Sequence, residues 1–138
     1  MITYFAALLV LASVLIAHRW GMNGSYFHIP LYDSIPHILG GIGIGLFLYA
    51  LINSWLPMKQ KKARPVVLGV FIVGIVWELF EAVANISGYK VGTTAYFFDT
   101  FKDLVTDVVG GVIAASIIAA FSHKKPPVIP EIPIAHES

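Results

Sequence analysis

Residues 35–56, IPHILGGIGIGLFLYALINSWL, contain no Asp, Glu, Lys or Arg. A helix needs about 20 mainly apolar residues to cross about 30 Å of hydrocarbon, and this stretch is long enough. Three further stretches are mainly apolar over a similar length, at 2–17, 65–84 and 99–121. The sequence therefore predicts an all-α integral membrane bundle of four transmembrane helices.

Composition supports a membrane protein. Of the 138 residues, 57% are hydrophobic and 12% are charged, whereas soluble domains have about 25% charged residues. The net charge of +1 is too small to suggest a nucleic-acid partner. The chain has no cysteine, which excludes disulfides, thiolate zinc sites and thiol nucleophiles. We therefore expect the lipid bilayer, and no nucleic acid, as the partner.

Basic residues are distributed unevenly between the two ends of the predicted spans. Three basic residues, Arg19, Lys90 and Lys102, belong to one side of the membrane, whereas the other six belong to the opposite side. Because positively charged residues stay preferentially in the cytoplasm, the richer side is the cytoplasmic one. Both termini are therefore expected in the cytoplasm, in a multi-pass protein of the cytoplasmic (inner) membrane. The basic residues of the richer side are Lys59, Lys61, Lys62, Arg64, Lys124 and Lys125.

The two ends of the chain have distinct compositions. Residues 1–122 form the predicted transmembrane domain, and 123–138 form a proline-rich cytoplasmic tail that cannot continue a helix. The first apolar stretch also fits a cleaved signal sequence, but Met1 and Ile2 provide no basic n-region. We therefore expect the first helix to be retained.

The acidic residues gather at one side of the predicted bundle. Glu131 and Glu137 belong to the tail. The other six fall toward the extracytoplasmic ends of the second, third and fourth spans. A charged carboxylate at mid-bilayer costs about 2.5 to 3.5 kcal/mol on insertion scales, so intramembrane acids indicate function. The six are Asp33, Glu78, Glu81, Asp99, Asp103 and Asp107.

Helical periodicity places these acids on inward-facing stripes. Asp99, Asp103 and Asp107 follow one another at i+4 spacing and share one helix face. This face continues as Gly111, and small residues are typical of close helix contacts in lipid. In the third span, Glu78 and Glu81 are spaced i, i+3 and therefore also share one helix face. We expect the carboxylates to meet between the helices rather than to face lipid.

This arrangement predicts a divalent metal site. Carboxylates that lie close together repel one another unless protons or cations neutralise them. Oxygen and nitrogen ligands without sulfur suit Mg, Mn, Fe or Zn. Asp99 or Asp33, nearer to solvent, is expected to act in catalytic proton transfer. The expected metal ligands are His37, Glu78, Glu81, Asp103 and Asp107.

Several of these residues also have a plainer interpretation. Asp33 and Asp99 precede apolar stretches, where aspartate is a preferred N-cap. His37 alternatively pairs with a carboxylate or a backbone carbonyl. Lys102 either neutralises the acids or extends outward to the membrane surface. Trp77, next to Glu78, fits a position beside the site, but packing in the core is the expected role.

Three sequence blocks carry a family resemblance. They are DSIPH at 33–37 with the glycines that follow, WELFE at 77–81, and FDTFKDLVTDVVGG at 98–111. In this order they resemble YjdF-like inner-membrane proteins and, more distantly, the VanZ-like family, whose members are associated with reduced teicoplanin susceptibility. The resemblance implies a prokaryotic cytoplasmic membrane protein and strengthens the same acids and His37 as a shared site.

Three classes of function stay open. The first is a metal-dependent hydrolase or transferase that acts on a lipid-linked or phosphate-containing substrate, since a metal activates water and polarises phosphoryl oxygens. The second is transport or sensing of a cation or proton. The third is a structural membrane subunit. The apolar inner half of the bundle favours a binding pocket over a transport path. A homo-oligomer formed through glycine-rich helix faces would, however, supply the missing half of such a path.

Overall fold

Four long helices make up the fold. The computed structural model describes residues 2–25, 28–29, 31–55, 63–86 and 88–122, and within these residues there is no β-strand. Each helix is long and apolar enough to span a membrane. The predicted all-α architecture is therefore confirmed. The helices are α1 (Ile2–Trp20), α2 (Ser34–Trp55), α3 (Ala63–Ala84) and α4 (Thr94–Ser122).

Local hydrogen bonds define where α3 ends and where α4 begins. Asn85 has a φ of 54°, and the Ile86 amide donates to the Glu81 carbonyl at 3.1 Å, which closes α3 as in a Schellman motif. The Thr93 hydroxyl accepts a 3.3 Å hydrogen bond from the Tyr96 amide and caps α4. The fourth helix thus begins at Thr94 rather than at the predicted residue 99. The N-cap interpretation of Asp99 is wrong, because Asp99 lies in the second turn.

The start of α2 positions two polar residues. Asp33 directly precedes the helix, which begins at Ser34. Pro36 lies in the first turn, where its missing N–H breaks no helical hydrogen bond. His37 follows inside the helix and is buried. Asp33 and His37 are therefore fixed together at one end of the bundle. This end, where α2 and α4 begin and α1 and α3 finish, is called the site end below.

Close backbone contact joins α2 to α4. A Cβ atom on Gly41 would overlap the carbonyl oxygen of Asp107, and one on Gly110 would overlap that of Ile38. Only glycine permits this approach. α1 packs on another face of α2, while α3 packs mainly on α4 and less on α2. α1 has no backbone contact with α3 or α4 among the described residues.

An apolar plug fills the bundle beyond the site. Val66, Val70 and Ala114 are between 0% and 2% exposed, and a Cβ on Gly45 would lie 2.7 Å from the Cβ of Ala114. Small and branched side chains therefore close the space between α2, α3 and α4. The outward faces of the helices carry large apolar side chains, as expected for contact with lipid.

Two of the sequence predictions fall outside the described residues. The tail 123–138 is one of them. The other concerns the cytoplasmic basic residues Lys59, Lys61, Lys62, Lys124 and Lys125. The cytoplasmic orientation of the termini accordingly stays a prediction from the sequence.

Candidate metal site

A histidine from α2 is held between two aspartates of α4. His37 Nδ1 lies 3.3 Å from Asp107 Oδ1, and His37 Nε2 lies 3.8 Å from Asp103 Oδ1. The two aspartates share a helix face through their i+4 spacing. The Gly41–Gly110 contact brings the two helices close enough for this arrangement. All three side chains are buried.

Asp103 carries an oxygen atom without a hydrogen bond. The residue is 2% exposed, and its Oδ1 atom is buried with no hydrogen-bond partner. Lys102 Nζ lies 3.2 Å away and His37 Nε2 lies 3.8 Å away, so both are within ion-pair distance but outside hydrogen-bond geometry. A buried polar atom without a hydrogen bond costs free energy, and such exceptions in native proteins call for an explanation such as an ion or a water molecule.

Three side chains together form a set of donors suited to a metal ion. Asp33, His37 and Asp103 each offer one ligand atom, and these atoms lie within 4.8 Å of one another. They come from the turn before α2, the first turns of α2 and the middle of α4. Two carboxylate oxygens and one imidazole nitrogen suit Mg, Mn, Fe or Zn.

Lys102 brings a positive charge close to the aspartates of this site. Its Nζ atom lies 2.8 Å from Asp99 Oδ1, 3.2 Å from Asp103 Oδ1 and 3.4 Å from Asp33 Oδ2. Of the two interpretations left open by the sequence, the structure therefore supports neutralisation of the acids and not extension toward the surface. The lysine is 29% exposed, so it forms the boundary between the buried group and the outside of the bundle.

The two acids of α3 lie beside this group rather than in it. Glu78 is buried, and its Oε1 atom has no hydrogen-bond partner. The Asp107 carboxylate packs against Gly74, one turn before Glu78, where an added Cβ would lie 2.7 Å from Asp107 Oδ2. Glu81 instead accepts a 2.8 Å hydrogen bond from Trp77 Nε1. Neither glutamate belongs to the set of three donors.

Trp77 differs from its sequence prediction. The predicted core position is wrong, because the side chain is 45% exposed. Its indole donates to Glu81 and its ring packs against Phe80, with a centroid distance of 5.5 Å. A helical wheel could not distinguish this position from a core position, since the exposure depends on which faces of α3 the neighbouring helices cover.

The structure thus assembles five of the predicted residues between α2 and α4. The sequence leaves Lys102 between neutralising the acids and extending outward, and its i+3 spacing from Asp99 is the signal that favours the first. Asp33 belongs to the set of three possible metal ligands, whereas the sequence predicted a role in proton transfer. The roles of all these residues as metal ligands or catalytic groups stay predictions. The five are Asp33, His37, Asp99, Asp103 and Asp107.

A family profile gives the chain its wider relationship. The profile described as "Predicted membrane protein (DUF2238)" matches residues 1–125. The chain belongs to this family. The match covers the four helices and the complete Asp/His group. The family description and the four apolar spans agree that this DUF2238 protein is a multi-pass membrane protein. No curated protein and no solved structure matches the chain.

Proposed function

We propose that this DUF2238 protein binds a divalent metal ion through Asp33, His37 and Asp103. The observation that carries the proposal is the buried Oδ1 atom of Asp103, which lacks a hydrogen bond, in a residue that lies with His37 and Asp33 in a set of donors within 4.8 Å of one another. A metal ion would satisfy this oxygen and would offset the repulsion among the carboxylates.

Asp107 supports the proposal because it lies against Nδ1 of His37, the ring nitrogen on the opposite side from Asp103. Metal-ligating histidines almost always donate their other ring N–H to a carboxylate, a carbonyl or water, which fixes the tautomer and the ring orientation. Asp107 lies at this position relative to Nδ1 of His37, at 3.3 Å. With Nδ1–H directed at Asp107, the Nε2 lone pair is directed toward Asp103 and is available for a metal.

The proposed chemistry is activation of water for hydrolysis or group transfer. Three protein ligands leave a coordination position for water, as in catalytic metal sites. A bound metal lowers the pKa of that water and polarises a phosphoryl or acyl oxygen. Under this proposal Asp99, which forms an ion pair with Lys102 at the more exposed edge, would accept or return the proton. A lipid-linked or phosphate-containing substrate fits such a site in a membrane.

Two observations bear on the alternatives. The apolar plug formed by Val66, Val70 and Ala114 lies beyond the site, which favours a pocket over a path for an ion or proton. Lys102 already neutralises part of the acidic group and so favours a structural interpretation. It contacts Asp103 without hydrogen-bond geometry, however, so it does not replace the ligand that we propose.

The proposal places the site at the extracytoplasmic face of the inner membrane. This orientation follows from the basic residues of the predicted cytoplasmic loop and tail. It also agrees with the resemblance to YjdF-like inner-membrane proteins. A substrate would then be met in the outer leaflet or outside the membrane.

Calorimetric titration of the chelated, detergent-purified protein with Mn²⁺ and Zn²⁺ tests the proposal. We expect one metal per chain, with saturable binding that Asp103→Asn abolishes while the bundle stays folded. Glu78→Gln is the matched control, since Glu78 is also buried but lies outside the donor set. Equal affinity in the wild type and Asp103→Asn would contradict the proposal.

A further inference from the structure

α1 contributes no residue to the set of three proposed metal ligands. Asp33, His37 and Asp103 belong to the turn before α2, to α2 and to α4. Among the described residues, α1 packs on α2 and has no backbone contact with α3 or α4. Any influence of α1 on the site therefore passes through α2 or through the segment that leads into it.

A hydrogen bond from Tyr32 joins this segment to the end of α1. The Tyr32 hydroxyl donates to the Ala17 carbonyl at 2.8 Å, and the bond is partly buried. Ala17 lies in the last turn of α1, at the site end. Tyr32 directly precedes Asp33 in the chain. The neighbour of a proposed metal ligand is thus bonded to a helix that supplies no ligand itself.

Two overlapping backbone turns connect Tyr32 rigidly to Asp33. The Ser34 amide donates to the Leu31 carbonyl at 3.0 Å. The Ile35 amide donates to the Tyr32 carbonyl, also at 3.0 Å. Asp33 lies inside both turns, so its backbone is fixed relative to Tyr32. A displacement of Tyr32 would therefore move the Asp33 carboxylate.

The backbone of Leu31 indicates that these turns need support from outside. Leu31 has a φ of 61°, in the left-handed region that is unfavourable for a residue with a Cβ atom. Such conformations persist only where the surrounding structure holds them. The Leu31 side chain is 72% exposed, so its own packing supplies little of this support. The adjacent bond from Tyr32 to α1 is a contact that can supply it.

Asp33 depends on its backbone more than the other two donors do. Its side chain is 35% exposed, whereas His37 and Asp103 are buried within the bundle. Its ion pair with Lys102 is long, at 3.4 Å. Packing therefore fixes the histidine and the second aspartate, but it fixes Asp33 less firmly. The position of the Asp33 carboxylate then follows from the turns and from what holds them.

We propose that α1 positions Asp33 for metal binding, with Tyr32 as the positioning residue. The inference rests on the proposed metal binding. Loss of the Tyr32 hydroxyl would release the turns from α1, and the Asp33 carboxylate would be held less firmly near the other two donors. Residues that orient metal ligands typically contribute 10- to 100-fold to metal affinity. Tyr32 acts through the backbone, so its contribution is expected at the lower end of this range.

Calorimetric titration of Tyr32→Phe with Mn²⁺ tests this proposal. The variant keeps the aromatic ring and loses only the hydroxyl, and its Mn²⁺ affinity should fall about tenfold. Tyr4→Phe is the matched control, because the Tyr4 hydroxyl also joins α1 to α2, through a 3.0 Å hydrogen bond with Ser54 at the opposite end. Tyr4→Phe should bind Mn²⁺ as wild type. The ¹⁴N electron spin echo signal of bound Mn²⁺ should persist in Tyr32→Phe, since His37 is held by α2 and α4.

The other outcomes separate positioning from a general loss of stability. Equal losses of Mn²⁺ affinity in the two tyrosine variants would assign the effect to attachment of α1 as a whole and would overturn the role of Tyr32. Loss of the ¹⁴N signal in Tyr32→Phe would assign the effect to His37 and would also overturn it. Wild-type affinity in Tyr32→Phe would refute the positioning role and keep the metal site. A wild-type protein with no Mn²⁺ affinity would instead refute the metal site itself and, with it, this inference.

Discussion

His37 Nδ1 lies 3.3 Å from Asp107 Oδ1, which fixes the imidazole of α2 against a carboxylate of α4. The contact depends on the glycines that let the two backbones approach, since a Cβ on Gly41 would overlap the Asp107 carbonyl. Helix packing and the orientation of the candidate ligand are therefore coupled.

Asp107→Asn is expected to weaken metal binding by about 10- to 100-fold, the usual effect of losing a carboxylate behind a ligating histidine. The amide keeps the size of the side chain but loses the charge that holds the histidine tautomer. Calorimetric titration with Zn²⁺ measures the change. Ser116→Ala, whose hydroxyl donates to the Val112 carbonyl at 2.8 Å, is the control and should bind as wild type. An unchanged affinity in Asp107→Asn would remove the orienting role.

Lys102→Met is expected to raise metal affinity at least tenfold, because a unit charge about 4 Å away is worth about 4 kcal/mol at an effective dielectric of about 20, well above the roughly 1.4 kcal/mol of a tenfold change. The metal-free variant should melt at a lower temperature than wild type, since Asp33, Asp99 and Asp103 lose their shared cation. Thermal melting with and without Zn²⁺ measures both effects. Lys90→Met, in the loop before α4, is the control. Reduced metal affinity in Lys102→Met would contradict competition between the lysine and the metal.

Gly110→Ala is expected to destabilise the bundle by about 1–3 kcal/mol or more, the cost of overpacking a tight contact. The added methyl would overlap the Ile38 carbonyl, and neither backbone can move without separating α2 from α4. Unfolding in mixed micelles measures the loss. Gly40→Ala, which adds the same methyl to open space, should stay near wild type. Equal stability of the two variants would refute the close α2–α4 contact.

The absence of cysteine makes the orientation directly testable. Asn23→Cys and Gly88→Cys should react with a membrane-impermeant maleimide added outside intact cells, because both loops are expected outside the cytoplasm. Lys125→Cys should react only after the cells are permeabilised. The opposite pattern would invert the orientation and place the site at the cytoplasmic face.

The helices and the inward acidic face of α4 could be predicted because apolar length and i+4 spacing are properties of single segments. The start of α4 could not, because the predicted helix began at the first charged residue and missed the Thr93 cap. The exposure of Trp77 and the absence of Glu81 from the set of three donors could not be predicted either. Both depend on which faces of α3 are covered by α2 and α4, and that depends on packing among three helices, which no single segment encodes.

Electron spin echo envelope modulation of Mn²⁺ bound to the purified protein tests the central claim most directly, since it detects nitrogen nuclei bonded to the metal. We predict a ¹⁴N signal from one imidazole that disappears in His37→Gln and persists in His28→Gln. Bound Mn²⁺ without a ¹⁴N signal in the wild type, or a signal that survives in His37→Gln, would contradict a metal site built on His37.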